Sequence, residues 1–360
     1  MTKVVLLLGA GATLSDVAAA SRKDRPPLDK RFFADAWLTH DARVQRVRKY
    51  IAETYAADVL DPAHDTLEGV MGQIYTDLFN PLLEDEALTA FRSLIQLFNH
   101  RLATTTNGIR PTNKRFVYRI VAQYLARGTR PEDLTIITFN QDIQVEKCLQ
   151  LMSTVSRWAH LAEKVFNFPG LYCLGMSASQ VTAPTGASAA DCFPRMDPVD
   201  GCISLLKLHG SLNWYSTHAS ATPSTRAMFK PNRKIQITRR RTIAPAMTRI
   251  GRQRHLYTLP VIVPPVSHKS SVLHNSMREL WRLSEQALHD ADEIVVFGYS
   301  CPPLDFESSN QLRRSQMNRT EQPSISVIDR DPAIASRYIG LFNAGCLHYF
   351  SSARPFIDRH

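Results

Sequence analysis

The sequence predicts an α/β fold, a Rossmann-like doubly wound parallel sheet with a helical insertion after the first strand. Short, uninterrupted apolar runs recur along the chain, which is typical of strands buried on both faces of a parallel sheet. Segments with apolar residues at helical spacing separate the later runs. At 360 residues, 44% hydrophobic and 21% charged, the chain is long enough to bury a sizeable core, and its composition excludes a disordered tail or a collagenous rod.

Apolar runs bounded by turn residues are the predicted strands, and the first of them ends at Gly9. Segments with apolar residues three to four positions apart are the predicted helices, several of them preceded by Asp or Thr as capping residues. Residues 176–200, rich in Ser, Ala, Pro and Thr, are predicted to form a long loop. The predicted strands are 3–8, 134–138, 203–208, 293–297 and 324–328, and the predicted helices are 29–38, 41–57, 66–78, 85–103, 112–126, 142–152, 271–289 and 331–342.

This pattern divides the chain into a core and two insertions. Residues 1–20 and 130–360 are the predicted Rossmann-like core. Residues 21–129 are predicted to be a helical insertion that closes over one end of the sheet as a lid. Residues 215–260 are predicted to be a basic insertion within the core.

The positive charge is concentrated in one segment. The chain has 43 Lys and Arg against 33 Asp and Glu, a net charge of +10. Residues 201–278 contain 13 of the basic residues and no acidic residue, so the rest of the chain has a net charge of −3. Ten of the 13 lie within residues 226–255. Three interpretations stay open for that segment: a solvated loop or hairpin, a docking surface for an acidic partner, and contact with nucleic acid, which no interleaved aromatic residues support.

The cysteines and the N-terminus favour a cytoplasmic protein. Six cysteines occur without a C-x-x-C pair, which argues against a zinc ribbon and against a disulfide framework. The apolar start resembles a signal peptide, but Gly9 and Gly11 interrupt it and Asp16 lies in the would-be cleavage region. No run approaches the roughly 20 apolar residues that a membrane span requires, so no membrane contact is expected.

Small or polar residues follow the first two strands. Residues 9–13, GAGAT, form a small-residue turn into a helix, where backbone N–H groups can approach a pyrophosphate. The third glycine of the usual dinucleotide fingerprint is missing, and a tight turn that binds nothing is the alternative. Asn140 and Asp142 follow the 134–138 strand, at the edge where doubly wound folds bind ligands. The alternative is that one of them caps the next helix.

The three later strands also end in residues with functional chemistry. His209 stands beside Gly210 after the 203–208 strand, where an accessible imidazole can take a proton from a hydroxyl or a water. The turn at 298–305, GYSCPPLD, offers donors to phosphate or ribose, and Asp329 occupies the usual position of a ribose acceptor. Each segment alone fits an ordinary loop, but five of them at five strand ends indicate one nucleotide site.

In this order and spacing, the five segments resemble the sirtuin-like family of NAD-consuming enzymes, and particularly its bacterial branch without a zinc ribbon. The sirtuin motifs are matched by GAGAT at 9–13, TFNQD at 138–142, His209-Gly210 and Gly298 to Ser300. The strings that look like the bacterial subgroup are PPLD at 26–29, KLHGSLNW at 207–214, VIVPP at 261–265 and GYS-x-P-x-x-D at 298–305. The resemblance covers nearly the whole chain.

The resemblance implies a role for each segment, with NAD as the substrate and no metal. His209 would be the base near the hydroxyls of the nicotinamide ribose, and Asn140 and Asp142 would lie beside that ribose; these three are the predicted catalytic residues. The rest of NAD, from its pyrophosphate to its adenosine, would be bound by Gly9, Ala10, Gly11, Ala12, Thr13, Gly298, Tyr299, Ser300, Asp305 and Asp329.

Two departures from the family pattern bear on which acceptor, water or an acyl-lysine, reacts with the ribose after nicotinamide leaves. Deacylating sirtuins carry two C-x-x-C pairs and a proline-aspartate-phenylalanine-arginine loop, and this sequence has neither, with Arg-Pro-Pro-Leu-Asp at 25–29 instead. The sequence therefore predicts an NAD glycohydrolase that uses water and produces nicotinamide and ADP-ribose. The alternatives are an NAD-dependent protein deacylase or ADP-ribosyltransferase, and a non-catalytic subunit that senses NAD or ADP-ribose.

The bacterial relatives also imply a biological setting. Enzymes of this type act as anti-phage effectors that deplete NAD, so the expected partner is a HerA-type ATPase, an Argonaute-like protein or another separately encoded sensor. A homo-oligomer is expected as well. The apolar face of the predicted helix 271–289 is a candidate oligomer surface, although packing on the sheet is the favoured interpretation.

Overall fold

The computed structural model describes residues 2–18, 32–33, 40–55, 66–107, 109–168, 170–173, 198–220, 235–237, 246–250, 254–263, 275–303, 305–345 and 347–359. Within them the strands are β1 (Val4–Leu8), β2 (Leu134–Thr138), β3 (Ser204–Lys207), β4 (Gly210–Ser220), β5 (Gln236–Ile237), β6 (Ala246–Ile250), β7 (Arg254–Ile262), β8 (Glu293–Phe297), β9 (Ser324–Ile328) and β10 (His348–Phe350). The helices are α1 (Ala10–Ala18), α2 (Ala42–Tyr55), α3 (Leu67–Asp77), α4 (Glu84–Asn107), α5 (Phe116–Ala126), α6 (Gln144–Thr154), α7 (Ala162–Val165), α8 (Asn275–Asp290), α9 (Phe306–Arg314), α10 (Pro332–Phe342) and α11 (Ala353–Arg359).

Six strands form the main sheet, in the order β10-β9-β8-β1-β2-β3. Every neighbouring pair in it is parallel. The chain starts in the middle at β1, builds outward to β3, then crosses to the other side of β1 and builds outward to β10. This is the doubly wound order, and its switch point lies between β1 and β8. The predicted fold class is confirmed.

All five predicted strands belong to the main sheet. Three of them coincide residue for residue with β2, β8 and β9, and the other two overrun β1 and β3 by one residue at one or both ends. Each residue of β1 is buried, which is why this strand appears in the sequence as an unbroken apolar run. The edge strand β10 was not predicted, because it is three residues long and buries only Phe350 fully.

A second, antiparallel sheet begins where β3 ends. Its strand order is β5-β4-β7-β6, and β7 returns beside β4 with Gly210 opposite Ile262. The predicted basic insertion at 215–260 falls on this sheet, to which all the strands described within it belong. Most of residues 226–255 lies outside the described residues, as do 174–197 of the predicted loop.

The described secondary-structure elements between β1 and β2 are all helical. Here α2 and α3 pack on α4, whereas α5 packs on α1, α6 and α11 beside the sheet. The predicted helix 29–38, apart from Phe32 and Phe33, and the PPLD segment at 26–29 lie outside the described residues.

Apolar side chains from sheet and helices form one contiguous core. Leu6 and Leu7 of β1, Phe91 of α4 and Trp214 of β4 all belong to it. Leu280 of α8 also lies in the core, so this face of α8 packs inward, the interpretation favoured from the sequence. None of the helices in the described residues has the length and apolar character needed to cross a membrane.

At the switch point, the turns after β1 and β8 touch backbone to backbone. Gly11 N donates a hydrogen bond to Gly298 O at 2.8 Å. A Cβ atom on Gly298 would lie 2.3 Å from Ala12 N, and Gly298 has a φ of +61°, in the left-handed region. A Cβ atom on Gly9 would lie 2.5 Å from Gly298 O. The glycines are therefore required for the contact between the two turns.

Gly298→Ala is expected to lower the free energy of unfolding by more than about 2 kcal/mol, because a methyl group would clash with backbone and strain a left-handed residue. The matched control is Gly340→Ala in α10, where a Cβ atom meets nothing within 4 Å. Helix propensity predicts that this control gains about 1 kcal/mol. Urea denaturation measures both, and equal stability of the two variants would contradict the role given to Gly298.

Candidate active site

The five predicted site segments lie at one edge of the main sheet. The strands are parallel, so their carboxyl ends meet at the same edge. The turn at 9–13 follows β1, residues 139–142 follow β2, and His209 follows β3. On the other side of the switch point, residues 298–305 follow β8 and Asp329 follows β9.

A buried hydrogen-bond network joins the turn after β1 to the loop after β2. Asn140 Nδ2 donates to Gly9 O at 2.8 Å and to Thr13 Oγ1 at 2.9 Å. Thr13 Oγ1 in turn donates to Asp142 Oδ2 at 2.8 Å. Thr13, Asn140 and Asp142 are each less than a tenth exposed. Both amide donors of Asn140 are engaged, and its Oδ1 has no hydrogen-bond partner among the described residues.

Asp142 also holds the start of the next helix. Its Oδ1 accepts a hydrogen bond from Gln144 N, the first residue of α6, at 2.8 Å. One carboxylate oxygen of Asp142 therefore caps the helix, which is the alternative that the sequence left open. The other oxygen accepts a hydrogen bond from Thr13. Both carboxylate oxygens of Asp142 are therefore engaged within the protein.

A buried ion pair supports the loop after β2. Lys207, at the end of β3, is fully buried, and its Nζ donates to Glu146 Oε1 at 2.9 Å and to the backbone oxygen of Asp142. Tyr172 OH donates to the same Glu146 oxygen at 2.9 Å. Asn213 Nδ2 donates to Tyr172 OH at 3.0 Å. The backbone that carries Asn140 and Asp142 is thus fixed by charge as well as by packing.

His209 lies between β3 and β4 in aromatic surroundings. Its ring centroid is 5.1 Å from that of Phe139 and 6.2 Å from that of Trp281. Phe139 in turn stacks on Tyr299, with 4.0 Å between the ring centroids. Only 8% of His209 is exposed, so the accessible imidazole expected from the sequence is largely enclosed.

Gly210 is required by the second sheet. It has a φ of +74°, and a Cβ atom would lie 2.1 Å from Val261 O on the neighbouring strand β7. Val263 N also donates to His209 O at 2.9 Å. The residue after β7 therefore fixes the backbone of His209, and the glycine allows the close approach of β7.

Asp305 faces His209 from the other side of the switch point. Asp305 Oδ2 lies 3.9 Å from His209 Nε2 and accepts a hydrogen bond from Tyr299 OH at 2.9 Å. Asp305 is 2% exposed.

Ser300 and Asp329 lie in a more open part of the edge. Ser300 is exposed, and its backbone oxygen accepts a hydrogen bond from Arg337 at 2.6 Å. Asp329 is half-buried, and burial raises the pKa of its carboxyl. Its Oδ1 accepts from Asp331 N at 3.0 Å.

Asp16 is a buried carboxyl on α1, close to the site, that the sequence did not single out as functional. It is 3% exposed and accepts a hydrogen bond from Phe116 N at 2.6 Å, at the start of α5. Burial raises its pKa to about 6, and the charge of Asp142 acts in the same direction. Hydrogen bonding by Phe116 and the charge of Arg115 oppose the increase.

Lys207 and Glu146 are site-supporting residues that the sequence interpretation missed. The available signal for Lys207 is a lysine within the apolar run at 203–208. No sequence pattern identifies Glu146 as its partner, since the two are 61 positions apart.

Among the described residues, no group of three or more His, Cys, Asp and Glu side chains could hold a metal ion. Cys148, Cys173, Cys202 and Cys301 are buried free thiols.

The fold and the polar edge define a doubly wound α/β protein with a candidate nucleotide site at its switch point. Among solved structures, it is similar to a Sir2 homologue variant in complex with ADP-ribose, with 13% identity and a TM-score of 0.43, over 99% of this chain and 90% of that chain. It is also similar to a Sir2–p53 peptide–NAD+ complex, with 11% identity and a TM-score of 0.39, over 99% and 91%. No family model and no curated protein matches the sequence. At these identities and TM-scores, no residue role transfers from the solved structures.

Lys207→Met is expected to lower the free energy of unfolding by about 3–5 kcal/mol, because Glu146 would keep a buried charge without a counter-ion. The double variant Lys207→Met/Glu146→Gln is expected to regain part of that loss. The control is Arg282→Met, which breaks an exposed ion pair with Glu279 and should cost less than about 1 kcal/mol. Chemical denaturation measures all three, and a loss of under about 1 kcal/mol for Lys207→Met would contradict the supporting role.

Asp16→Asn is expected to change how stability depends on pH. The folded-state pKa of Asp16, about 6, lies above the ordinary value of 3.8, so its contribution to stability falls as pH rises between these values. Asparagine does not titrate, so Asp16→Asn does not lose stability in this way. The free energy of unfolding of the variant minus that of wild type should therefore increase by roughly 2–3 kcal/mol from pH 4 to pH 7. The measurement is urea denaturation at both pH values.

Asp41→Asn is the matched control for that pH experiment. Hydrogen bonding from Arg43 lowers the pKa of Asp41, so its contribution to stability is lost as pH falls. The two substitutions should therefore change the pH dependence in opposite directions, and a change of the same sign would contradict the raised pKa of Asp16.

Proposed function

We propose that this protein is an NAD glycohydrolase, which cleaves NAD to nicotinamide and ADP-ribose. The observation that carries the proposal is the Thr13–Asn140–Asp142 network, which joins the turns after β1 and β2. It lies at the carboxyl edge of the sheet, where doubly wound folds bind ligands. His209 is held next to it through the ring of Phe139, the residue before Asn140.

The substrate would lie across the switch point. The N-terminus of α1 favours the negative pyrophosphate, and Ala10 is exposed there. Gly11 N and Ala12 N already donate to Gly298 O and Gly9 O. The pyrophosphate contact therefore relies on Ala10 and the helix N-terminus, while Ser300 and Asp329 take the adenosine half.

Asn140 and His209 have the chemistry that this cleavage needs. As the bond between C1′ and the pyridinium nitrogen breaks, its electron pair leaves with neutral nicotinamide and the ribose becomes cationic. The partial negative charge on Asn140 Oδ1 stabilises a cation, and the network fixes this amide before the reaction. His209 takes a proton from the attacking water while the water oxygen bonds to C1′.

The sequence supports water as the acceptor. The C-x-x-C pairs and the proline-aspartate-phenylalanine-arginine loop of deacylating sirtuins are missing from the 360 residues, whereas the residues assigned to NAD cleavage are present. Hydrolysis needs no acyl-peptide groove. An added peptide or protein acceptor is therefore not required for nicotinamide release.

The proposed setting is a bacterial anti-phage system in the cytoplasm. The support for it is the resemblance of KLHGSLNW at 207–214 and of the segment at 298–305 to the bacterial sirtuin-like subgroup. In this setting the chain depletes NAD as a homo-oligomer, under the control of a separate HerA-type ATPase, Argonaute-like protein or other sensor. The basic segment at 226–255 is a candidate docking surface for such a partner.

His209→Ala and Asn140→Ala are each expected to lower the rate of NAD cleavage at least about 100-fold, because one removes the base and the other the fixed amide. The measurement is free nicotinamide, separated by chromatography after incubation of NAD with the purified protein. The protein co-expressed with its genomic neighbour is measured in parallel. The control is His160→Ala, an exposed histidine before α7, which should keep full activity.

Other outcomes of this assay distinguish the alternatives. Unchanged cleavage in both site variants would overturn the assigned roles. Nicotinamide release that needs an acyl-peptide or a protein acceptor would indicate a deacylase or an ADP-ribosyltransferase. Binding of NAD by calorimetry without nicotinamide release, under every partner condition, would indicate a sensing subunit.

A further inference from the structure

The carboxylate of Asp305 occupies a built position opposite His209. Its Oδ2 accepts from Tyr299 OH at 2.9 Å and its Oδ1 accepts from Ser308 N at 3.3 Å, so that it caps α9. The same Oδ2 lies 3.9 Å from His209 Nε2. This distance is too long for a direct hydrogen bond and short enough for an ion pair.

Two features of the fold stabilise a negative charge on Asp305. Two hydrogen-bond donors point at its oxygens, and it stands at the N-terminus of the nine-residue helix α9, where negative charge is stabilised. The carboxylate is 2% exposed. The carboxyl group is therefore held in a fixed position within the site, out of reach of most of the solvent.

The surroundings of His209 make such a charge important. The imidazole packs against the rings of Phe139 and Trp281, and little of it reaches water. Enclosure of this kind disfavours a cationic imidazole. A proton taken up by His209 would create that cation 3.9 Å from the carboxylate of Asp305.

We propose that Asp305 is a positioning residue that acts through His209, holding the imidazole in place and stabilising the imidazolium formed when His209 accepts a proton. This role replaces the direct contact with NAD expected for Asp305 from the sequence, and it rests on the proposed function of His209 as a base. The catalytic group remains His209, because Asp305 is 2% exposed and its two oxygens accept hydrogen bonds from Tyr299 and from the start of α9.

The other titratable and charged groups around this pair come from the turn after β8 and from α10. Burial raises the pKa of Tyr299 and of Cys301, so both are neutral near pH 7. Arg337 is directed at the backbone oxygens of Ser300 and Cys301. The rings of Phe139, which follows β2, and of Trp281 on α8 contact His209, and neither ring is titratable.

The direct test is the imidazole pKa of His209, followed by NMR of protein with isotope-labelled histidine. The chain has 12 histidines, and His209→Gln identifies the signal. Asp305→Asn is expected to lower this pKa by about one unit or more, because the negative charge is lost. Asp305→Ser, which keeps a capping oxygen without the charge, should do the same and provides a second variant if the asparagine variant does not fold.

The matched control for the titration is Asp331→Asn. Asp331 also caps a helix, α10, and its Oδ1 accepts from Ala333 N at 2.9 Å. Its substitution removes a helix-capping charge that does not face His209, so the imidazole pKa should stay within about 0.2 units of wild type. A general effect of removing a capping carboxylate would instead appear in both proteins.

The second measurement is the pH dependence of NAD cleavage. A base must be neutral to accept a proton, so the rate rises with pH through the imidazole pKa. In Asp305→Asn the acidic limb should move to lower pH and the plateau kcat should fall roughly tenfold or more, because the imidazole is a weaker base. KM for NAD should change less than kcat, since Asp305 does not contact the substrate in this proposal.

The outcomes separate this inference from the proposed function. An unchanged imidazole pKa in folded Asp305→Asn or Asp305→Ser overturns the pairing, whatever the protein does with NAD. If the imidazole pKa is lowered in Asp305→Asn but the wild-type protein never cleaves NAD, the pairing is supported and the glycohydrolase is rejected. A large rise in KM with an unchanged kcat and pH profile restores the direct contact with NAD and overturns the positioning role.

Discussion

The close contact between the turns after β1 and β8 is the constraint on which the candidate site depends. Gly9 and Gly11 meet Gly298 with no room for a side chain on either side. This contact extends the pairing of β1 with β8 beyond the ends of the two strands and uses the amide of Gly11. It also places the start of α1, with Thr13, beside the loop after β2.

From that contact outward, the site is built of buried polar groups whose partners lie far apart in the chain. Thr13 joins Asn140 to Asp142, and Lys207 holds the backbone of the same loop through Asp142. Buried charges and amides are costly unless each is paired, so an arrangement of this kind tolerates few alternative conformations. The rigidity that follows suits a site in which an amide oxygen and a base must be in place before the substrate arrives.

The second sheet has a clear structural task at this edge. Strand β7 passes so close to Gly210 that only glycine fits, and it fixes the backbone of His209 through Val263. Strand β4 reaches back as well, since Leu212 N donates to Gln141 O at 2.8 Å. The second sheet therefore contributes to the geometry of the candidate base through residues that flank the predicted insertion at 215–260.

The sequence by itself determined the doubly wound core, because β1, β2, β8 and β9 are buried on both faces and appear as apolar runs. It also placed polar residues at the ends of five strands, and the parallel order then required that they share one edge. It could not predict the short edge strand β10, the antiparallel pairing of β4 with β7, or the burial of His209. Those depend on contacts between residues distant in sequence. Only the tertiary structure decided two contacts of the site, the ion pair of Lys207 with Glu146 and the approach of Asp305 to His209. The local sequence determines which side chains are present, whereas the packing of distant segments determines which of them come into contact.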